Sequence, residues 1–381
     1  MDAPRREAVK MFALLGAGVA TFATNQSIGV TLPVHILTQM GGTTADVGFV
    51  AAAGTGGVIG GRLVSAALVE RTGPLMLGAV SMTLVAVVCL GYLVTPHHVA
   101  GLALVRAGHG VAFAWATTAL FVAMLTAIRS MSRQRSMALA NIAMPVSLAV
   151  FPLVAIEVFD ASLATVAAAA SVLGLLGAAT YLLVGRTRAP CTTATLPPPS
   201  LPLVVRRLPM RLLATAALLG AADAAALDYL PVLGITRDIE GYGWAFTVFA
   251  IGTAITLALI TTTSLGVLPS AYLVVVGGLG TAAALAMWPW VNSLAPLMVV
   301  VGAYGIGFAI AQTGVAAVAV EWSAAEQGKA LAGILLAFDV GRAAGVYVIG
   351  LLIASFGFVA ALVPLALLLA VASIRARPRD C

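Results

Sequence analysis

Charge is what this sequence lacks. Only 9% of its 381 residues are Asp, Glu, Lys or Arg, where a soluble globular domain carries about 25%. Lysine is nearly absent, with 2 residues against 18 arginines. Cysteine is scarce too. Cys89 in an apolar run, Cys191 in a polar stretch and Cys381 at the end form neither a disulfide framework nor a metal-ligand spacing. There is no phosphate-binding glycine loop with its lysine, which excludes ATP as the direct energy source. No Ser/His/Asp or metal-ligand constellation marks an enzyme. What is present is apolar: 61% of residues are hydrophobic and the mean hydropathy is +1.07. A chain of this length and composition needs a bilayer as solvent. The pI near 9.6 does not point to nucleic acid. The cations flank apolar runs rather than covering one folded face, so their partner is an anionic leaflet.

Twelve apolar runs are long enough to cross the hydrocarbon core, which takes about 20 residues each. They cover 11–39, 46–68, 74–94, 99–127, 137–159, 162–184, 211–234, 242–263, 268–288, 295–320, 328–353 and 356–374. The first is too long for a signal peptide and is kept as a span. The basic residues are sorted by gap. Sixteen of the 20 lie before the first run, after the last, or in even-numbered gaps and at their edges; Arg237 alone lies in an odd one. Positive loops stay inside, so both termini are expected to be cytoplasmic, in a cell inner (plasma) membrane. Trp244, Trp288 and Trp290 fall at predicted outer ends and Trp322 at an inner end, where amphipathic rings prefer the interface.

Residues 185–210 are rich in Pro, Thr and Arg and read as a cytoplasmic linker. They divide the chain into an N-terminal six-helix half, 1–184, and a C-terminal half, 211–381. The halves share short matches. His109-Gly110-Val111-Ala112-Phe113-Ala114 in span four answers Tyr304-Gly305-Ile306-Gly307-Phe308-Ala309 in span ten. Ala138-Leu139-Ala140-Asn141 in span five answers Ala330-Leu331-Ala332-Gly333 in span eleven. A duplicated membrane domain is expected to carry its substrate path at the interface of its repeats.

Between spans two and three stand Gly57, Ala66 and Glu70-Arg71-Thr72-Gly73-Pro74. The pattern resembles the signature loop of the major facilitator superfamily: glycine, eight residues, glycine, three residues, acid, base, any residue, glycine. Ala66 replaces the second glycine and Pro74 a base. Arg106 followed by Gly110 in span four resembles that superfamily's span-four arginine motif, with His109 where glutamine is common. The resemblance implies a twelve-helix transporter of two pseudo-symmetric halves, all α-helical, that works by alternating access. It also implies that Glu70 meets the positive end of span eleven and latches the halves on the cytoplasmic side; the alternative is that Glu70 and Arg71 only set topology and cap the turn. Arg62, the loop and Ala337-Phe338-Asp339 together resemble the sugar-efflux and metallophore-exporter branch, which implies export of a small polar metabolite. The stretch from Pro145 to Pro152 keeps the prolines of the antiporter motif and lacks its glycines.

Six ionisable residues are read as deeply placed within spans: Arg62, Arg106, Arg342, Asp223, Asp228 and Asp339. A charge at the bilayer centre costs about 2.5–3.5 kcal/mol on insertion scales, so these should face the interior and pair. Asp339 and Arg342 are three apart on one face of span eleven. They read either as a structural pair or as a proton-exchanging acid tuned by its arginine. Asp223 and Asp228 are five apart, about 500° of helix, so they diverge by roughly 140° and are not expected to face one partner. Asp223, the deeper, is the coupling candidate, and Asp228 lies towards the outer mouth. Arg106 keeps its proton and acts by biasing an acid, binding an anion or bonding backbone. Arg62 can snorkel to headgroups. His109 can titrate or simply pack. Asn25, Gln26, Trp115, Asp228 and Gln312 complete the cavity candidates, each with helix packing as its alternative.

The sequence therefore predicts a monomeric secondary transporter with no cofactor, driven by a proton gradient, that exports a metabolite or drug-like molecule. A nutrient symporter and a non-transporting receptor on the same scaffold are the alternatives.

Overall fold

The computed structural model describes residues 3–127, 133–185, 208–262, 268–322 and 327–376, and these are nearly all helical. Most of the linker expected at 185–210, and Arg129 with it, lie outside the described residues. The helices are α1 Ala3–Thr38, α2 Thr44–Thr72, α3 Pro74–Val94, α4 Val99–Ala127, α5 Arg133–Leu153 and α6 Leu163–Gly185. Then come α7 Met210–Asp228, continued by a short helix Leu230–Thr236, α8 Trp244–Thr262, α9 Ser270–Met287 and α10 Leu294–Trp322. The last helix, Gln327–Arg375, is divided by Gly357 (φ 80°, ψ 176°) into α11 and α12. Among the described residues ten helices, that divided one counted once, are long and apolar enough to cross a membrane, and α8 adds the shorter Trp244–Ile260. With α11 and α12 counted apart, the described residues give twelve long helices, most of them ending within a few residues of the predicted bounds. Helices are the expected answer, since in hydrocarbon a lone segment must satisfy its own backbone hydrogen bonds.

The breaks have local causes. Gly73 carries φ 79° between α2 and α3, a left-handed conformation that favours glycine, and Pro74 then starts α3 without needing a donor. Pro152 removes a donor near the end of α5, and the chain changes to a π turn, Val154–Val158. Tyr229 (φ −106°, ψ 0°) ends α7, and Pro231 begins the next helix in its first turn.

The helices pack as two compact units. One is built from residues up to His35 and from Gly56 through α6; the other from Ile36–Thr55 with the helices after residue 209. In the first, the Ser147 hydroxyl donates to the Val19 carbonyl at 2.9 Å and joins α5 to α1. Gly57 on α2 lies against the Ala107 backbone of α4. The Ser171 hydroxyl donates to the Ala86 carbonyl at 2.9 Å and joins α6 to α3. The second unit repeats these pairs. Gly341 on α11 lies against Ala217 on α7, Gly305 on α10 against Phe249 on α8, and Gly278 on α9 against Ser373 on α12. The same pairing at equivalent positions supports the internal repeat. Small residues drive it, because in lipid only close backbone approach and polar contacts favour one helix neighbour over another.

Residues 36–55 add a seam to the second unit. The Thr44 hydroxyl donates to the Gly350 carbonyl at 3.0 Å, and the Tyr229 hydroxyl to the Val346 carbonyl at 2.5 Å. Gly48 lies under both Tyr229 and Val346. Outward-facing side chains such as Phe12, Leu104, Val299 and Phe356 are at least 66% exposed, as lipid contact requires. Trp244, Trp290 and Trp322 are exposed too, whereas Trp288 is buried. It packs edge-on to Tyr304 at 5.6 Å, so it is a core residue and not the interfacial anchor that its position near a helix end suggested.

Candidate functional site

In the second unit the chemistry gathers on α7 and α11. Gly220 and Gly341 bring the two backbones together, since a Cβ at Gly220 would meet the Phe338 carbonyl and the Arg342 amide, and one at Gly341 the Ala217 carbonyl. Arg342 therefore stands close beside α7. Its guanidinium bonds Asp223 through Nη1 and Asp228 through Nη2, the latter at 2.8 Å. The Arg342 side chain is 21% exposed, and those of Asp223 and Asp228 are 7% and 11%.

This corrects the expectation that Asp223 and Asp228 cannot share a partner. Their divergence of roughly 140° holds around a regular helix axis. That divergence does not apply at the frayed end of α7, and the two arms of the Arg342 fork each take one acid. Asp228 is also the last residue of α7, where the helix gives way at Tyr229.

Asp339, one turn before Arg342, is buried and lies within electrostatic reach of Arg342 and Asp223. The site thus holds three carboxylates and one guanidinium. Tyr304 on α10 also stands in the field of Asp223 and Arg342. Its phenol oxygen is buried without a hydrogen-bond partner among the described residues, and its ring stacks on Phe308 at 5.9 Å. Sequence reasoning did not single out Tyr304. The signal was its place opposite His109 in the internal repeat.

In the first unit, α1 and α4 run antiparallel. Phe22 meets Phe113 with ring centroids 5.6 Å apart. A Cβ at Gly29 would stand 3.5 Å from Arg106 Nη2. Arg106 and Gln26 are half-buried and His109 is fully buried. His109 Nδ1 is 3.4 Å from the Tyr92 hydroxyl, and Tyr92 in turn lies in the field of Arg106.

The other predicted residues are dispersed. Asn25 is half-buried on α1, Gln312 is exposed on α10, and Arg62 is exposed on α2. Gly57 serves helix packing, Glu70 and Arg71 are exposed at the end of α2, and Gly73 makes the turn. Trp115 ties α4 to α2 by donating its indole N–H to the Gly61 carbonyl at 3.1 Å. Trp115→Phe is expected to lower stability by about 1 kcal/mol, read as a small drop in melting temperature of the purified protein. An unchanged melting curve would remove that role.

The model of the Major Facilitator Superfamily matches residues 14–268, more than half of the chain. No curated protein sequence matches this chain. Among solved structures, a point mutant of the nucleoside transporter NupG superposes with a TM-score of 0.77 at 13% identity, covering 96% of this chain and 97% of its own. A POT family transporter in complex with a thioalcohol-conjugated peptide gives 0.80 at 11% identity, with 96% and 94% covered. A bacterial homolog of the human lysosomal transporter Spinster, inward-facing and unoccupied, gives 0.72 at 14% identity, with 98% and 94% covered. At these identities the likeness concerns the fold.

Proposed function

The chain belongs to the major facilitator superfamily, and from that premise we propose that it is a proton-coupled exporter of a small metabolite or drug-like compound. As a member it is a multi-pass membrane transporter of small molecules and not an enzyme. The coupling reading rests on one observation, the cluster of Asp223, Asp228 and Asp339 around Arg342. One guanidinium cannot balance three carboxylates, and buried excess charge is costly. Taking up a proton brings the cluster nearer neutrality; giving it up restores the excess. A protein that alternates between two access states can use that difference as its gear. Asp339 is the proton carrier in this reading, because it is buried one turn from Arg342 and within electrostatic reach of both Arg342 and Asp223. Export, residence in the inner membrane and cytoplasmic termini draw their support from the loop resemblance and the sorted arginines.

The test uses the purified protein in liposomes with a pH-sensitive dye inside. Under an imposed gradient, addition of a metabolite extract should drive proton movement into or out of the lumen. Asp339→Asn should abolish the dye response while exchange of labelled solute across equal pH survives. Solute transport indifferent to the gradient in the wild type would sink proton coupling. Solute and protons moving together would reverse the direction to uptake.

A further inference from the structure

The seam between α1 and α4 holds three polar atoms that the protein leaves without hydrogen bonds. They are Arg106 Nη1, His109 Nε2 and Gln26 Oε1, each buried and each without a partner among the described residues. The two contacts across the seam set its register. Phe22 stands level with Phe113 and Gly29 with Arg106, and equal steps along two antiparallel helices put Gln26 level with His109. Residues 22, 26 and 29 share one face of α1, and 106, 109 and 113 one face of α4. Along the seam a cation is followed by a pair of neutral hydrogen-bonding groups and then by two aromatic rings.

Among the described residues of the first unit, no carboxylate shares the middle of these helices with the cation. Its acids there are Glu7, Glu70, Glu157 and Asp160, and each lies within two turns of a helix end or beyond one. Arg106 keeps its charge under all conditions. A buried guanidinium arm without an acceptor is costly, and a charged ligand is the group able to relieve it. Arg106, Gln26 and Phe22 are each only half-buried, so every level of the seam reaches the surface of the unit, and a ligand that parts the two helices meets the enclosed atoms. Gly29 leaves the α1 side of the guanidinium open; with a side chain there, Arg106 would be covered.

We propose that this seam is a subsite for an amphipathic organic anion. Its carboxylate or phosphate sits on Arg106, its polar middle on His109 and Gln26, and its apolar body against Phe22 and Phe113. A planar, two-pronged donor suits either oxyanion, and the rings suit an aromatic or branched body. Tyr92 already contacts His109 Nδ1, so Nε2 is the ring atom left to bond a ligand. The proposal names the substrate class for the transporter reading given above and rests on it. Arg106 is a binding residue here and exchanges no proton.

The experiment measures binding without any gradient, so it fails or succeeds separately from proton coupling. Benzoate, phenyl phosphate and benzamide share one ring and differ in the head group. Each is titrated into the purified full-length protein in detergent while thermal unfolding is followed. Benzoate or phenyl phosphate should stabilise the protein saturably, and benzamide should not. Which anion is preferred tells carboxylate from phosphate. Arg106→Gln should raise the half-saturating concentration by about tenfold or more. Arg106→Lys should recover part of it, since the charge returns without the fork. Gly29→Leu should block the anion in the same way while leaving Arg106 in place. Equal stabilisation by benzamide, undiminished anion binding in Arg106→Gln, or no binding of either anion would each overturn the proposal. Anion binding together with transport blind to pH would overturn proton coupling and leave this subsite standing.

Discussion

Arg342→Gln is expected to destabilise the protein by about 3–5 kcal/mol, the range measured when one partner of a buried ion pair is removed. The variant leaves Asp223 and Asp228 facing each other in a low-dielectric interior without the cation that both use. Asp339 adds a third carboxylate one turn away. Removing charge from the other side should repair much of the damage. Asp223→Asn with Arg342→Gln should melt well above Arg342→Gln alone, because amides can bond each other where carboxylates repel. Arg342→Lys should fall between, since an ammonium keeps the charge and cannot fork to two acids. The measurement is thermal unfolding of the purified variants, with the coupling obtained from a double-mutant cycle. If Arg342→Gln melts with the wild type, the cluster does not hold α7 to α11, and its claim to carry protons weakens with it.

Two adjacent glycines on α2 give the second large effect. Gly57→Leu should prevent stable folding, whereas Gly56→Leu should be tolerated. A side chain at Gly57 would begin inside the Ala107 carbonyl of α4, while one at Gly56 would meet nothing within 4 Å. The obstacle at Gly57 is backbone, which no rotamer change relieves. Its cost should exceed the roughly 1–3 kcal/mol of ordinary overpacking. At Gly56 the change gains helix propensity, about 0.8–1.0 kcal/mol for replacing glycine by a good helix former, and its side chain enters open space. Folded yield by size-exclusion chromatography separates them. Equal yields would mean that α2 and α4 are not held at backbone distance.

The contrast shows where sequence reading stops. Both glycines belong to the same run, and the motif that includes Gly57 marks it only by resemblance. Which of two neighbours faces a helix and which faces lipid depends on rotation about the helix axis. An almost uniformly apolar run has no polar face to report that rotation. The same blindness explains the misplacement of Trp288, which counted as interfacial by its nearness to a helix end and lies buried against Tyr304. It also explains why Tyr304 went unnoticed. A tyrosine in a glycine-rich run carries no charge to flag it, and its importance comes from the field of Asp223 and Arg342, more than 35 residues away in sequence at the nearer end.

By itself the sequence determined that the chain is a series of long apolar helices, where most of them begin and end within a few residues, and that Asp223, Asp228, Asp339 and Arg342 stand inside two of them. It could do so because burial in hydrocarbon acts on each segment separately, and every stretch must satisfy its own backbone and hide its own charge. The sharing of Arg342 by Asp223 and Asp228, and the three unsatisfied polar atoms ranged along α1 and α4, were decided by tertiary structure alone. Both depend on how closely two backbones approach and in what register, and that distance is a property of helix pairs, written in no single run.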